Sequence, residues 1–397
     1  MSALITLTLA AAVGSPSSPS TPPTPADLVQ KLGDKSFRVR HEAANLLVRH
    51  GSAAVAALTE GMKHTDPEVS ERCRLLLPQA EALERTEKLA QLLADPTAPP
   101  PKGLAGLDQF LKITGDSKIA REVYAELMGI FFKAMELREK DPKAAAEEYR
   151  QFCDEAYARY RAAMQAGRYT PDAAYSSPAD LTFFYVFSGD PRLDKNTTRA
   201  FGRNYVLLNG TRAQTSLTTG ERAPVMRKLF LNWLENDPDT NLQSRGFQLA
   251  AQAKMPEALP IAVKLLQKKE SNQFGKAQVM TTLAGLGTKE HIKLLEPYLS
   301  DAAQVTSVNF GNGRQTTVQL RDVAMGVSVQ LAGQKPNDFG FDGSQFGGAN
   351  FPSSYIYFGF TDDKARDDAH AKWKDWAAKN LKSASKSEPK AAVPEKK

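Results

Sequence analysis

Asp34–Leu47 reads DKSFRVRHEAANLL and Asp66–Leu77 reads DPEVSERCRLLL. Aligned on Val39 and Val69, the two stretches superimpose at an offset of 30 residues. Ala43 then matches Cys73, and Leu46-Leu47 match Leu76-Leu77. The same offset pairs Leu28 with Leu58 and Leu32 with Met62 in the segments just upstream. Apolar residues recur at spacings of three, four and seven, the period of a helix with one buried face. Each unit therefore predicts a short helix, a tight turn and a longer helix. The turns are Gly33-Asp34-Lys35-Ser36 and His64-Thr65-Asp66-Pro67. Thr65 or Asp66 can cap the following helix, and Pro67 suits its first turn, where a missing N–H costs nothing.

The turn with Asp or Pro, the Val39-Arg40 pair, the small residue and the leucines resemble the second helix of a HEAT repeat. The second copy departs from that pattern, with Ser70 in the place of the arginine. The resemblance implies an α-solenoid, in which each helical hairpin packs only on its neighbours.

A second repeat lies in the C-terminal half. At an offset of 33, Leu259 matches Ile292, Ile261 matches Leu294, Leu265 matches Tyr298 and Leu266 matches Leu299. The partner helices, Gln278–Gly285 and Gln319–Gly333, match at an offset of 48. The extra 15 residues are an insertion, Val305–Val318, rich in Val and Thr around Asn312-Gly313. That composition predicts a β-hairpin, and hairpins grafted onto a solenoid loop commonly project from one face. A final helix is expected over Thr361–Leu381, capped by Thr361, with Trp373 and Trp376 on one face sealing the end of the stack. GQKPNDFGF (Gly333–Phe341) followed by TDDKARDDAHAKWKDW (Thr361–Trp376) resembles the C-termini of uncharacterised bacterial exported HEAT-repeat proteins.

The expected fold is thus all-α: a solenoid of HEAT-like helical hairpins with one inserted β-hairpin and a C-terminal capping helix. Residues 1–14 read as a signal peptide, with Ala3–Val13 too short to span a membrane. It lacks a basic start. Residues 15–25 are a Pro/Ser/Thr linker, with order beginning near Ala26. Repeats occupy 26–94, a Pro-rich break 95–102, and a helical region 103–236. That region includes helices over Ile119–Leu137 and Pro142–Ala166, and a start signal at Ser177–Asp180. C-terminal repeats fill 237–333 and the Gly/aromatic loop with its helix 334–381. The basic tail, 382–397, is expected to be disordered.

The chain carries a net charge of +6. Half of it sits in that tail, where five lysines face two glutamates. The remainder is too thin for a phosphate-binding surface by itself. The two cysteines, Cys73 and Cys153, form no CxxC pair, and Cys73 falls on an apolar stripe as a buried thiol would. No nucleophile elbow, P-loop or HExxH is present, and the five histidines are scattered. Asp237, Asp239 and Asn241 imitate the start of a calcium loop, but Leu242 and Gln248 stand where glycine and glutamate are required. They read better as a turn in which Asp239 or Thr240 caps a helix. Glu147 and Glu148 diverge on a helix and make no acid/base dyad. Phe183–Phe187 reads as core.

Arg192, Lys195, Arg199 and Arg203, interleaved with Phe201 and followed by Tyr205, form the candidate anion or nucleic-acid patch, and Asp190 and Asp194 partly neutralise it. Phe310 and Arg314, on the hairpin, are the candidate partner contacts. No catalytic residue, metal or cofactor is expected. The leading expectation is an exported, non-enzymatic interaction module with a protein partner. The competing ones are a cytoplasmic HEAT-like nucleic-acid binder and a hydrolase hidden in residues 103–236.

Overall fold

A computed structural model describes residues 22–168, 170, 172–194, 203–237, 239–268, 272–309, 315–342 and 354–381. They are helical almost throughout, with a single two-stranded sheet. The signal-like segment, the basic tail and the tip of the hairpin lie outside the described residues. The chain divides into two compact units, Met1–Leu104 and Ala105–Lys397.

The first unit contains α1 (Pro25–Lys31), α2 (Phe37–Arg49), α3 (Ser52–Gly61) and α4 (Pro67–Ala94). Helix α1 starts inside the expected linker. Thr24 accepts a bond from the Asp27 N–H at 3.2 Å while Asp27 accepts the Thr24 N–H at 3.0 Å, a reciprocal capping box, and Pro25 opens the first turn. These interactions satisfy donors that the helix start would otherwise strand. Asp66, not Thr65, caps α4, taking the Glu68 N–H at 2.8 Å.

Helix α1 packs on α2 and α3, and α4 packs on α2 and α3. First helices thus lie beside first helices, and second beside second. The core between them is built from the positions that recur at the offset of 30: Leu28 with Leu58, Ala43 with Cys73, and Leu32 and Leu47 with the half-buried Met62 and Leu77. Gly61 permits the close approach of three helices. A methyl group there would meet Cys73 Sγ at 2.5 Å and Val29 Cγ1 at 2.9 Å.

The second unit begins with α5 (Leu107–Thr114), α6 (Lys118–Lys140), α7 (Pro142–Gln165) and α8 (Ala179–Ser188). Every residue of α8 is buried, which accounts for its apolarity on all sides. Its Phe183 ring stacks on Phe131 of α6 at 4.0 Å, and Phe184 and Tyr185 meet Trp233 of a later helix. Short α9 (Val206–Asn209) and α10 (Thr211–Thr218) lead to α11 (Ala223–Asn236), which packs on α5, α8 and α10.

Next come α12 (Thr240–Gln252), α13 (Leu259–Gln267) and α14 (Gln273–Leu286), with α14 packed on α12 and α13. The expected match of 259–266 with 292–299 holds in sequence but not in conformation. Residues 289–294 and 296–298 form two 3-10 turns. Pro297 offers no N–H to an α-helical ladder there.

Strands β1 (Gln304–Asn309) and β2 (Gln315–Gln319) form the antiparallel hairpin. Its second strand is held against the segment before the last helix. Thr317 and Phe360 exchange backbone hydrogen bonds of 2.9 and 3.1 Å, and Thr316 and Val318 are buried. Helix α15 (Leu320–Leu331) follows directly. Helix α16 (Asp363–Asn380) closes the unit. Its cap is Asp362, which takes the Ala365 N–H at 2.8 Å, whereas the Thr361 hydroxyl only donates to Asp362. Trp373 and Trp376 stack at 5.3 Å, and both meet the ring of Phe339.

Candidate functional site

The described members of the basic patch are held by carboxylates. Arg192 Nη2 lies 2.8 Å from Asp190, and Arg203 pairs with Asp154 on α7. Lys195 and Arg199 lie outside the described residues. Asp190 is itself buried and also pairs with Arg138 of α6, a guanidinium that is only 3% exposed. Gln109 accepts from both arginines at 3.0 Å. The two guanidinia hold the Asp190 carboxyl below its ordinary range despite burial. This group of two guanidinia, one carboxylate and the Gln109 amide joins α5, α6 and the segment after α8. Turning Arg192 fully onto an external anion would cost its bonds to Asp190 and Gln109. Phe310 and Arg314 lie outside the described residues.

A second polar group lies deep in the same unit. Asp237 accepts from Trp233 Nε1 at 2.6 Å, from the Asp239 N–H at 2.8 Å, and from the Ser188 hydroxyl. Burial pushes its carboxyl up to about 6. Asp239 caps α12, taking the Asn241 and Leu242 N–H groups at 2.9 and 3.2 Å. The calcium-like spelling is thus a helix start with its oxygens occupied by N–H donors. Cys153 is buried, and burial pushes its thiol up to about 12, far from the thiolate a nucleophile needs. Ser188, Asp237 and Cys153 carry reactive group types, and all three are buried. Glu147 pairs with Arg150 and Glu148 with Lys133. Among the described residues no three His, Cys, Asp or Glu side chains are gathered as a metal would need. No described helix is long and apolar enough to cross a membrane.

The outer side of α2 and α4 is different in kind. Phe37 is 68% exposed and Leu75 is 62% exposed. Phe37, His41 and Asn45 run along α2 at spacings of four, with the Phe37 and His41 rings stacked at 5.8 Å and Asn45 bonded to His41 at 3.2 Å. Leu75 is the offset-30 counterpart of Asn45, so its stripe on α4 faces the same way as the α2 stripe. Arg40 joins the helices, with Nε 3.3 Å from Glu68 and Nη1 bonded to the Asp34 and Lys35 carbonyls at 2.8 and 3.1 Å. Ser70, which replaces the second arginine, instead bonds the Met62 carbonyl at 2.6 Å. Sequence reasoning passed over Phe37 and Leu75, although both fall outside the buried period of their helices.

No known protein family and no curated protein matches the chain. Among solved structures, the crystal structure of an engineered protein is similar at 14% identity, covering 90% of this chain and 85% of that chain, with a TM-score of 0.27.

Proposed function

We propose that the chain is an exported, non-enzymatic protein-interaction module built from HEAT-like helical hairpins, with the outer side of α2 and α4 as a contact surface for a protein partner. The observation that carries this reading is the pair of exposed apolar side chains, Phe37 and Leu75, on adjacent second helices whose inner positions are all used by the core. An exposed aromatic and an exposed leucine on rigid neighbouring helices supply apolar anchors at little ordering cost. The layering of the first unit supports the solenoid reading, because each hairpin buries its apolar face on the next at a fixed repeat. The engagement of Arg192 by Asp190 and of Arg203 by Asp154 weighs against a nucleic-acid partner.

The test is site-specific photocrosslinking in the native host. A crosslinker at position 37 or 75 should yield the same protein adduct. One at Glu60, exposed on α3, should not. Leu75→Ser should remove the adduct at 37 while the protein remains folded. Adducts that are absent from 37 and 75, or equal at 60, overturn the proposal.

A further inference from the structure

A cleft of about 460 Å³ opens in the second unit between α6, α8, α10 and the start of α11. That volume is within the range of small-molecule sites, roughly 300–1,000 Å³. Its floor is apolar: Ile119 and Val123 of α6, Leu181 of α8 and Met226 of α11. Two polar groups on its wall are incompletely engaged. Thr182 is 3% exposed, and its hydroxyl reaches only the thioether of Met226, at 3.6 Å. A thioether is a weak acceptor, so this buried hydroxyl retains hydrogen-bonding capacity.

Arg212 on α10 is the second. Its guanidinium lies 4.9 Å over the Tyr175 ring, and Nη1 bonds the Ser177 carbonyl at 3.3 Å. Among the described residues no carboxylate pairs with it. Asp172, beside the start of α10, is taken by the Thr211 hydroxyl and by the Arg212 backbone N–H at 2.9 Å. The other arginine of the cleft, Arg222, is paired with Glu126. Stacking on a ring and one carbonyl bond fix a guanidinium in place while leaving most of its five donors open.

We propose that this cleft binds a small monocarboxylate with a compact apolar body, its carboxylate on Arg212 and its chain on the floor formed by Val123, Leu181 and Met226. A single negative charge is specified because Glu122 and Glu221 also line the cleft and disfavour a dianion. The proposal is independent of the surface on α2 and α4, so either can fail alone.

The experiment is calorimetric titration of the full chain with octanoate, hexanoate and phenylacetate, alongside octylamine, octanol and the eight-carbon dicarboxylate suberate. At least one monocarboxylate should bind, with octylamine, octanol and suberate weaker by about tenfold or more, as loss of a charge-assisted hydrogen bond implies. Arg212→Gln should weaken the monocarboxylate by a similar factor. Ser216→Phe, which fills the cleft from its partly exposed rim, should abolish binding while circular dichroism and melting are unchanged. The proposal is overturned if no monocarboxylate binds, if octylamine or octanol binds as well as the acid, or if Ser216→Phe binds like the parent.

Discussion

Arg366 Nε lies 3.1 Å from Asp322 Oδ2, joining α16 to the first turn of α15 across 44 residues of sequence. Both side chains are almost fully buried, at 2% and 0% exposed. Arg366 Nη2 also donates to the Thr317 carbonyl at 2.9 Å, and Asp322 accepts the Gln319 N–H at 2.8 Å and contacts His370 Nε2 at 3.2 Å. One ion pair thus ties together the last helix, β2 and the start of α15. Removing Asp322 leaves the buried Arg366 with only the exposed Asp363 as a carboxylate partner, which costs far more than the pair contributes relative to an apolar replacement.

Asp322→Ala is therefore expected to cost about 3–5 kcal/mol. The Asp322→Ala, Arg366→Met double variant should lose clearly less than the sum of the single variants. Urea unfolding followed by tryptophan fluorescence reads this directly, because Trp233, Trp373 and Trp376 all lie in the second unit. Additive losses would show that the two groups do not depend on each other.

Gly61→Ala is expected to destabilise the first unit by about 1–3 kcal/mol through overpacking. The added methyl would meet the Cys73 sulfur, which lies in a core with no slack. Hydrogen exchange should accelerate across α1, α3 and α4. Combining it with Cys73→Ala should restore protection, since the methyl then occupies part of the space the sulfur left. An unprotected double variant would mean that Val29, not Cys73, sets the limit.

These two sites differ in how far the sequence announces them. Cys73 and Leu58 are legible because helical period and an offset of 30 act over short spans. The caps are also nearly legible, and the error at Thr361 is one residue: Thr361, Asp362 and Asp363 are all competent caps, and local geometry chooses among them. The docking of β2 was not legible. It depends on Phe360, which reaches Thr317 across more than 40 residues and supplies the third strand-like pairing. The same holds for the basic patch. Asp190 stands close enough in sequence to be weighed against Arg192, but Arg138 and Asp154 reach Asp190 and Arg203 from 52 and 49 residues away. Charge partners at that distance leave no periodic trace, so a cluster of cations in sequence overstates the charge presented to solvent. The cleft beside Arg212 combines four helices for the same reason and has no motif.

Asp237 gives the pH dependence. Its carboxyl is raised from 3.8 to about 6, principally by burial, so the folded state holds the proton more tightly than the unfolded chain. Its contribution to stability is full below about pH 4 and is lost as pH rises through about 6, at a cost on the order of 3 kcal/mol above that. Asp190, Asp116 and Asp362 are lowered and act in the opposite sense. The difference between the parent and Asp237→Asn isolates the one group. The substituted protein should gain stability relative to the parent between pH 4 and pH 7. A constant difference across that range would remove the titration from Asp237.

The arginines of the patch supply the last expectation, and it separates structure from binding. Arg192 is 41% exposed and Arg203 is 47% exposed, and each shares its carboxylate with a second arginine, Arg138 on Asp190 and Arg150 on Asp154. Exposed pairs of this kind contribute about 0–1 kcal/mol. Arg192→Ala and Arg203→Ala should therefore leave melting nearly unchanged. They should also lower the salt concentration that elutes the protein from heparin by no more than the loss of any one surface cation, because Asp190 and Asp154 stay paired with Arg138 and Arg150 and no phosphate contact is lost. Asp190→Ala should behave oppositely. It strands Arg138, 3% exposed, and should cost about 3–5 kcal/mol in the tryptophan transition. If Arg192→Ala instead lowers the heparin salt step further than that while Asp190→Ala melts like the parent, the cluster faces an external anion and its internal pairing is incidental.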